Sequence, residues 1–123
     1  MLRRAIPWLT ALYWLALFAA THVPAYRLPV VPVTDKTIHT VCYGVLAIAL
    51  MLTFHVRGRF HSGTGITGIT VLAILLAYGA IDEWTQIPVG RSCELADWYA
   101  DAAGAAVAVV LMTFVLGHWK RET

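Results

Sequence analysis

The sequence predicts an all-α protein, a bundle of four membrane-spanning helices in a single domain of 123 residues. Apolar segments close to the length of a spanning helix, about 20 residues, recur along the chain. Hydrophobic residues make up 59% of the sequence and charged residues 13%, about half the charged share of soluble domains. No strand-like alternation and no internal repeat competes with the helical pattern. The same composition excludes a disordered chain, and the net charge of +2 is too small to predict a nucleic-acid partner.

The first predicted span covers about residues 6–21, and its main alternative is a cleaved signal peptide. Two arginines precede the apolar run, as they would in either case. The run contains Trp8, Tyr13 and Trp14, and no site of the small-x-small type is followed by a soluble domain. These observations favour a retained helix.

Proline and glycine positions separate the other predicted spans. Three prolines between residues 22 and 34 stop the first helix, and Thr34 or Asp35 offers an N-cap for the next one. Pro88 and Gly90 end the third helix. A connector at residues 57–65, rich in arginine and glycine, precedes that helix. The remaining predicted spans cover about residues 35–56, 66–87 and 95–119.

The distribution of basic residues predicts the orientation. With four spans, both termini and the middle connector lie on one side of the membrane. That side carries six basic residues, and the other side carries three. The six are Arg3, Arg4, Arg57, Arg59, Lys120 and Arg121, and the three are Arg27, Lys36 and Arg91. The positive-inside rule therefore places both termini in the cytoplasm. Six of the seven acidic residues then fall on the outer side.

Polar side chains gather at the predicted outer end of the bundle. Residues four apart share a helix face, and ionisable groups within spans usually face the bundle interior. We therefore expect the ends of three helices and one loop to converge in a functional cluster. Its candidate members are Asp35, Lys36, His39 and Tyr43 on the second helix, Asp82, Glu83 and Gln86 on the third, Arg91 and Ser92 in the loop, and Asp97 and Asp101 on the fourth.

Structural roles compete with functional ones at several of these positions. Asp35 and Asp97 lie in first turns, where a carboxylate also stabilises the helix. Asp82 and Glu83 lie near a helix C-terminus, where the helix dipole disfavours negative charge, so they need a cation, a proton or strong hydrogen bonds. Arg91 is predicted to pair with these two acids as a bidentate clamp. His39 fits a packing role and a functional role equally well.

The two cysteines are too few for a zinc site or a disulfide framework. Cys42 is interpreted as a small helix-packing residue. A disulfide between Cys42 and Cys93 on an oxidising outer side is the less favoured alternative.

Four motifs follow one another along the chain: Asp35-Lys36-x-x-His39-x-x-x-Tyr43, Asp82-Glu83-x-x-Gln86, Pro88-x-Gly90-Arg91-Ser92 and Asp97-x-x-x-Asp101-x-x-Gly104. This ordered set resembles the VanZ-like family of small bacterial membrane proteins. The resemblance covers roughly residues 34–112, and this chain departs from the family pattern at Thr40, where an aromatic is commoner, and at Asp101, where asparagine is usual. It implies a four-helix protein of the bacterial cytoplasmic membrane, and the namesake is associated with low-level resistance to teicoplanin-type antibiotics.

Three functional hypotheses follow from the cluster. The first is binding or modification of a lipid headgroup or cell-wall precursor at the outer leaflet. Lys36 and Arg91 would then contact phosphate or carboxylate, while the acids and Gln86 would hold amino, hydroxyl or cationic groups.

The second hypothesis is a metal-assisted hydrolase or transferase at the same place. Asp82, Glu83 or His39 would act as general acid or base, and a divalent cation held by carboxylates would be the cofactor. No known catalytic motif supports this hypothesis. The third is an oligomeric ion or proton pathway, which the apolar inner halves of the helices disfavour in a monomer.

Overall fold

The chain forms four long helices, as shown by a computed structural model that describes residues 2–27, 33–58 and 63–122. No strand occurs in these described ranges, which confirms the all-α class. Parts of both predicted connectors, residues 28–32 and 59–62, lie outside the described residues. The helices are α1 (Leu2–Thr21), α2 (Asp35–Val56), α3 (Thr64–Thr85) and α4 (Leu95–Glu122), and single 3-10 turns occur at Ala25–Arg27 and Ile87–Val89.

The predicted bounds are confirmed for α2 and differ at the ends of the other helices. The N-cap of α2 is Thr34, whose side chain accepts a hydrogen bond from the Thr37 amide at 3.3 Å. The first and fourth helices extend beyond their apolar runs, because lysine and arginine are good helix formers. The third helix ends at Thr85 rather than at residue 87, because Pro88 disfavours α-helical geometry in the residue before it. Gly90 then turns the chain with a φ of 76°.

Three of the four helices are long and apolar enough to cross a membrane. These candidate spans are Asp35–Val56, Thr64–Val89 and Leu95–Trp119. The first helix, Leu2–Thr21, does not meet the same combination of length and hydropathy among the described residues. The protein is therefore a helical bundle with three candidate membrane spans.

The α2 and α4 helices run parallel and pack most closely. At Gly104, a side chain would overlap the backbone carbonyl of Thr40 on α2, so only glycine fits this contact. The α3 helix packs antiparallel on α4, where Gly79 faces Trp98 and Asp101. Small residues permit such close approach of helices in lipid.

The α1 helix lies against α2 and α3. The Tyr13 hydroxyl donates a hydrogen bond to the Cys42 carbonyl oxygen of α2 at 3.0 Å. The Trp14 ring meets the Tyr78 ring of α3 edge-to-face at 5.1 Å. The C-terminal ends of α1 and α3 therefore meet the N-terminal ends of α2 and α4, and we call this the polar end of the bundle. The rest of the buried interior is mostly apolar, apart from Thr10 and Thr67. Its core includes Leu46, Ala47, Leu50, Met51, Val71, Leu75, Ala105, Ala108 and Val109.

Candidate functional site

The polar end buries most of the predicted cluster. Tyr43 and six polar residues are at most 6% exposed: His39, Asp82, Glu83, Gln86, Asp97 and Asp101. Asp101 lies six residues into α4, about 9 Å from the start of the helix at 1.5 Å per residue. Asp35, Lys36 and Ser92 are exposed, and Arg91 is largely buried. The predicted convergence of three helix ends and one loop is therefore what the structure shows, with an exposed rim around a buried centre.

Asp82 is fully satisfied by neutral donors, and we call it and its partners the Asp82 network. Tyr78 and Thr21 donate hydrogen bonds to Oδ1 at 3.3 and 3.0 Å. The Gln86 side-chain amide donates to Oδ2 at 3.1 Å. The ring of His22 lies farther away, with Nδ1 at 3.9 Å from Oδ1 and at 2.8 Å from the Phe18 carbonyl oxygen. Both carboxylate oxygens thus have donors within the bundle.

Lys36 forms ion pairs with two acidic residues, the buried Asp97 and the half-exposed Glu94. Its Nζ lies 2.8 Å from Asp97 Oδ1 and 3.3 Å from Glu94 Oε2. Ser92 donates to the other oxygen of Glu94 at 3.0 Å. A ligand that binds Lys36, as the sequence predicts, would therefore have to displace one of these two acids.

His39, Glu83 and Asp101 meet at the centre, and we call these three residues the buried triad. His39 Nδ1 lies 2.8 Å from Asp101 Oδ1. Glu83 Oε2 accepts a hydrogen bond from the backbone N–H of Glu94 at 2.9 Å. The remaining oxygens, Glu83 Oε1 and Asp101 Oδ2, are buried and have no hydrogen-bond partner in the part of the chain that the structure describes.

The Tyr43 hydroxyl is the third buried polar atom without a partner among the described residues. Tyr43 lies one helical turn beyond His39, and its ring stacks on Tyr78 at 5.8 Å between centroids. Tyr43 therefore packs between the Asp82 network and the buried triad.

The predicted clamp between Arg91 and the acids of α3 is wrong. Arg91 Nη2 lies 4.0 Å from Asp35 Oδ1, and in the described part of the chain Arg91 forms no ion pair with Asp82 or Glu83. The physical reason is that Asp82 already has neutral donors and Glu83 has a backbone amide. The turn at Gly90 instead directs Arg91 toward the start of α2. Cys42 and Cys93 are both free, so no disulfide joins them.

A cleft of about 190 Å³ opens between α1 and α2 at the polar end, and we call it the α1–α2 cleft. Apolar side chains form most of its lining, and Arg91, Asp35 and His39 contribute charged or titratable groups. It is lined by Leu17, Ala20, Thr21, Asp35, Ile38, His39, Cys42, Tyr43 and Arg91. His39 therefore borders both the cleft and the buried triad.

Sequence reasoning missed four contributors to the site. Tyr78 precedes Asp82 by four residues, so helical spacing alone would have found it. Thr21 and His22 come from α1, and only the packing of α1 on the bundle brings them close. Glu94 contributes its backbone N–H, and no side-chain motif reports that.

No family model, curated protein or solved structure matches this chain. Fold and site together define a helical bundle with three candidate membrane spans and a buried acidic cluster, containing a histidine, at one end.

Proposed function

We propose that the chain is a protein of the bacterial cytoplasmic membrane that spans the bilayer four times, with both termini in the cytoplasm and the polar end outward. Three candidate spans support this topology, and α1 adds a fourth helix whose surface residues Trp8, Leu12 and Leu15 are exposed and apolar. Arg3, Arg4 and Arg57 are exposed at the end of the bundle opposite the polar end. That asymmetry is the one that the positive-inside rule requires.

Cysteine labelling tests this topology, because Cys93 is exposed at the polar end. A membrane-impermeant maleimide should label Cys93 in intact cells, and Cys93→Ser should remove that signal. An added cysteine, Arg57→Cys in the Cys93→Ser background, should react only after lysis. The half-buried Cys42 sets the background. Labelling of position 57 but not of position 93 in intact cells would show the opposite orientation and contradict the proposal.

We infer that the polar end binds an amphiphile with an anionic headgroup, such as a phospholipid or a lipid-linked cell-wall precursor. The observation that carries this proposal is the α1–α2 cleft, which places the Arg91 guanidinium beside apolar walls formed by Leu17 and Ile38. Guanidinium groups suit phosphate and carboxylate. The 4.0 Å separation from Asp35 leaves Arg91 able to bind a ligand, whereas Lys36 is held by two acids.

The volume of the cleft limits what it holds. Pockets for whole small ligands are roughly 300–1,000 Å³, whereas this cleft has about 190 Å³. We therefore expect a headgroup and the first part of the attached chain to occupy the cleft. The rest of the apolar chain would lie along the lipid-facing surface of α1 and α2.

Binding to the purified full chain in neutral detergent tests this proposal. The probes are short-chain phosphatidylglycerol, lipid II and inorganic phosphate. The lipids should bind more tightly than phosphate, and Arg91→Gln should weaken lipid binding about tenfold, or about 1.4 kcal/mol. Arg27→Gln is the matched control, because Arg27 is an exposed arginine at the same end that does not line the cleft. Equal effects of the two substitutions would refute the proposal.

A second candidate function is catalysis on the same bound amphiphile. The observation that favours it is the position of His39, which borders the cleft and contacts Asp101. A histidine oriented by a carboxylate is suited to general acid–base chemistry. His39→Gln should then abolish hydrolysis of the phosphodiester of phosphatidylglycerol or of the diphosphate of lipid II, in which water adds to phosphorus and an alcohol or a phosphate monoester leaves. Lipid binding should persist, and an unchanged rate of hydrolysis would exclude the role. An ion pathway is disfavoured because the core below the polar end is mostly apolar and contains no buried ionisable group among the described residues.

The resemblance to the VanZ-like family remains a proposal with its own test. Expression of the chain in a susceptible bacterium should raise the inhibitory concentration of teicoplanin, and Asp101→Ala should reverse that effect. No change on expression of the wild-type chain would count against membership in this functional class.

A further inference from the structure

We propose that the buried triad of His39, Glu83 and Asp101 binds a divalent cation, Zn²⁺ or Mn²⁺. This inference goes beyond the amphiphile-binding proposal and does not depend on it. The geometric basis is that each of the three residues offers one ligand atom, and the three atoms lie within 4.8 Å of one another. Ligand atoms around a cation with bond lengths of about 2.0–2.2 Å fall within such a separation.

The second observation is the lack of hydrogen-bond partners for two buried carboxylate oxygens, which does not depend on the distances between the ligand atoms. Glu83 and Asp101 are 3% and 2% exposed, and each keeps one buried oxygen without a partner among the described residues. Most buried polar side-chain atoms in proteins have a partner, so two unpartnered carboxylate oxygens beside one histidine point to a missing ligand. A single cation between these side chains would contact both carboxylates.

The charges of the polar end lead to the same site. Lys36 lies against Asp97, Arg91 faces Asp35, and Asp82 has neutral donors on both oxygens. Among the described basic residues, only His39 contacts either acid of this pair, with Nδ1 at 2.8 Å from Asp101 Oδ1. A divalent cation would balance both carboxylates at once.

Protonation of the two acids explains the geometry less well. A single proton on Glu83 Oε1 or Asp101 Oδ2 would neutralise one of the two carboxylates and leave the other charged. A metal ion would satisfy both oxygens and use the histidine as well.

A second group at the polar end, Asp35, His39 and Asp97, also brings three ligand atoms within 4.8 Å. It is the weaker candidate. Lys36 already occupies Asp97 at 2.8 Å, and Asp35 is half exposed to solvent. Neither acid in this group has a buried oxygen without a partner. The buried triad is therefore the site that needs the cation.

The donor set selects the type of metal. Imidazole suits zinc and other transition metals, whereas carboxylate oxygens also suit manganese. Calcium takes six to eight oxygen ligands, which one histidine and two carboxylates do not supply. Three protein ligands also leave at least one position open for water or a ligand group, as in catalytic zinc sites.

Metal titration of the full chain, purified in neutral detergent and treated with chelator, tests the proposal. Isothermal titration with Zn²⁺ or Mn²⁺ should give one ion per chain, and elemental analysis should confirm it. Glu83→Gln and Asp101→Asn should each weaken the affinity by roughly 10- to 100-fold or more. Glu94→Gln is the matched control, because it removes a neighbouring carboxylate that is half exposed and keeps the backbone N–H that Glu83 accepts.

Each outcome decides the proposal. No stoichiometric ion in the wild type, or unchanged affinity in Glu83→Gln and Asp101→Asn, overturns it. A loss in Asp35→Asn without a loss in Glu83→Gln assigns the ion to the exposed group instead and also overturns it. If the triad variants fail to fold, X-ray absorption spectroscopy on the Zn²⁺-loaded wild type identifies the atoms that bind the ion. One nitrogen and two or more oxygens in the first shell, unchanged in Asp35→Asn, support the triad; a sulfur ligand, the lack of an imidazole or loss of this shell in Asp35→Asn refutes it.

Discussion

Asp82 and Glu83 are neighbours in the sequence and equally buried, yet they belong to two different environments. The Asp82 network lies toward α1 and gives both carboxylate oxygens neutral donors. The Glu83 side chain points toward α4, where one oxygen has the Glu94 amide and the other has no partner among the described residues. A single step along the helix, about 100° around its axis, therefore separates a completed hydrogen-bond network from an incomplete one.

This difference separates a structural acid from a site acid. An unpartnered buried polar group costs about 1–3 kcal/mol. A bundle that satisfies Asp82 with three side chains and leaves Glu83 and Asp101 incomplete places that cost at the triad and at the neighbouring Tyr43 hydroxyl. We infer that the Asp82 network holds the helix ends together and that the buried triad is reserved for an ion or ligand.

Asp82→Ala should therefore have the largest effect on stability. It leaves the buried Gln86 amide and the half-buried Tyr78 hydroxyl without their acceptor, whereas Thr21 can turn to the Phe18 carbonyl oxygen. The expected loss is about 3 kcal/mol or more of unfolding free energy. Unfolding in mixed detergent micelles measures it.

Glu83→Gln is the comparison for that variant. In metal-free protein it should be nearly as stable as the wild type, because its unpartnered oxygen has no described contact to lose. If Glu83→Gln lost as much unfolding free energy as Asp82→Ala, the two acids would not differ in their structural role.

Gly104→Ala should cause the next largest loss of stability, and it should disturb the buried triad rather than the Asp82 network. The added methyl group meets the Thr40 carbonyl and pushes α2, which carries His39, away from α4, which carries Asp101. Such overpacking costs about 1–3 kcal/mol, and we expect weaker metal binding with it. Gly65→Ala is the control, because open space surrounds Gly65. It should cost nothing, and a loss like that of Gly104→Ala would contradict the close-approach argument.

The helices and the position of the site follow from local sequence signals. The apolar runs, the cap at Thr34 and the breaker at Pro88 act within a few residues, so they predict α2 within its observed bounds and the others within a few residues. The convergence of the acids also follows, because antiparallel connections bring alternate helix ends together.

The partners of each acid could not be predicted in the same way. Helical spacing relates residues on one helix, whereas Thr21 reaches Asp82 and Glu94 reaches Glu83 across helices. Charge matching predicted that Arg91 would pair with the acids of α3. Instead, two neutral hydroxyls and an amide donate hydrogen bonds to Asp82. Whether both oxygens of a buried acid have hydrogen-bond donors depends on such tertiary contacts. Helix packing determines these contacts, and spacing along one helix does not reveal them.

Two tyrosines extend the comparison to hydroxyl groups, with a smaller effect. Tyr13 donates to the Cys42 carbonyl oxygen, whereas the Tyr43 hydroxyl has no partner among the described residues. Tyr13→Phe should therefore lose about 1 kcal/mol of unfolding free energy. Tyr43→Phe in metal-free protein should be unchanged or slightly more stable. The same unfolding assay compares them, and a clear loss in Tyr43→Phe would reveal a partner for its hydroxyl.

The smallest effect should come from Glu94→Gln, which separates the rim from the buried centre. The Glu94 side chain is half exposed and pairs with Lys36 at 3.3 Å, and ion pairs of this kind contribute little and are screened by salt. The backbone N–H that Glu83 accepts is unchanged. Unfolding and metal affinity should therefore match the wild type at both low and high salt. A salt-dependent loss of metal affinity would mean that the Lys36–Glu94 pair positions the amide beneath Glu83, and the rim would then belong to the site.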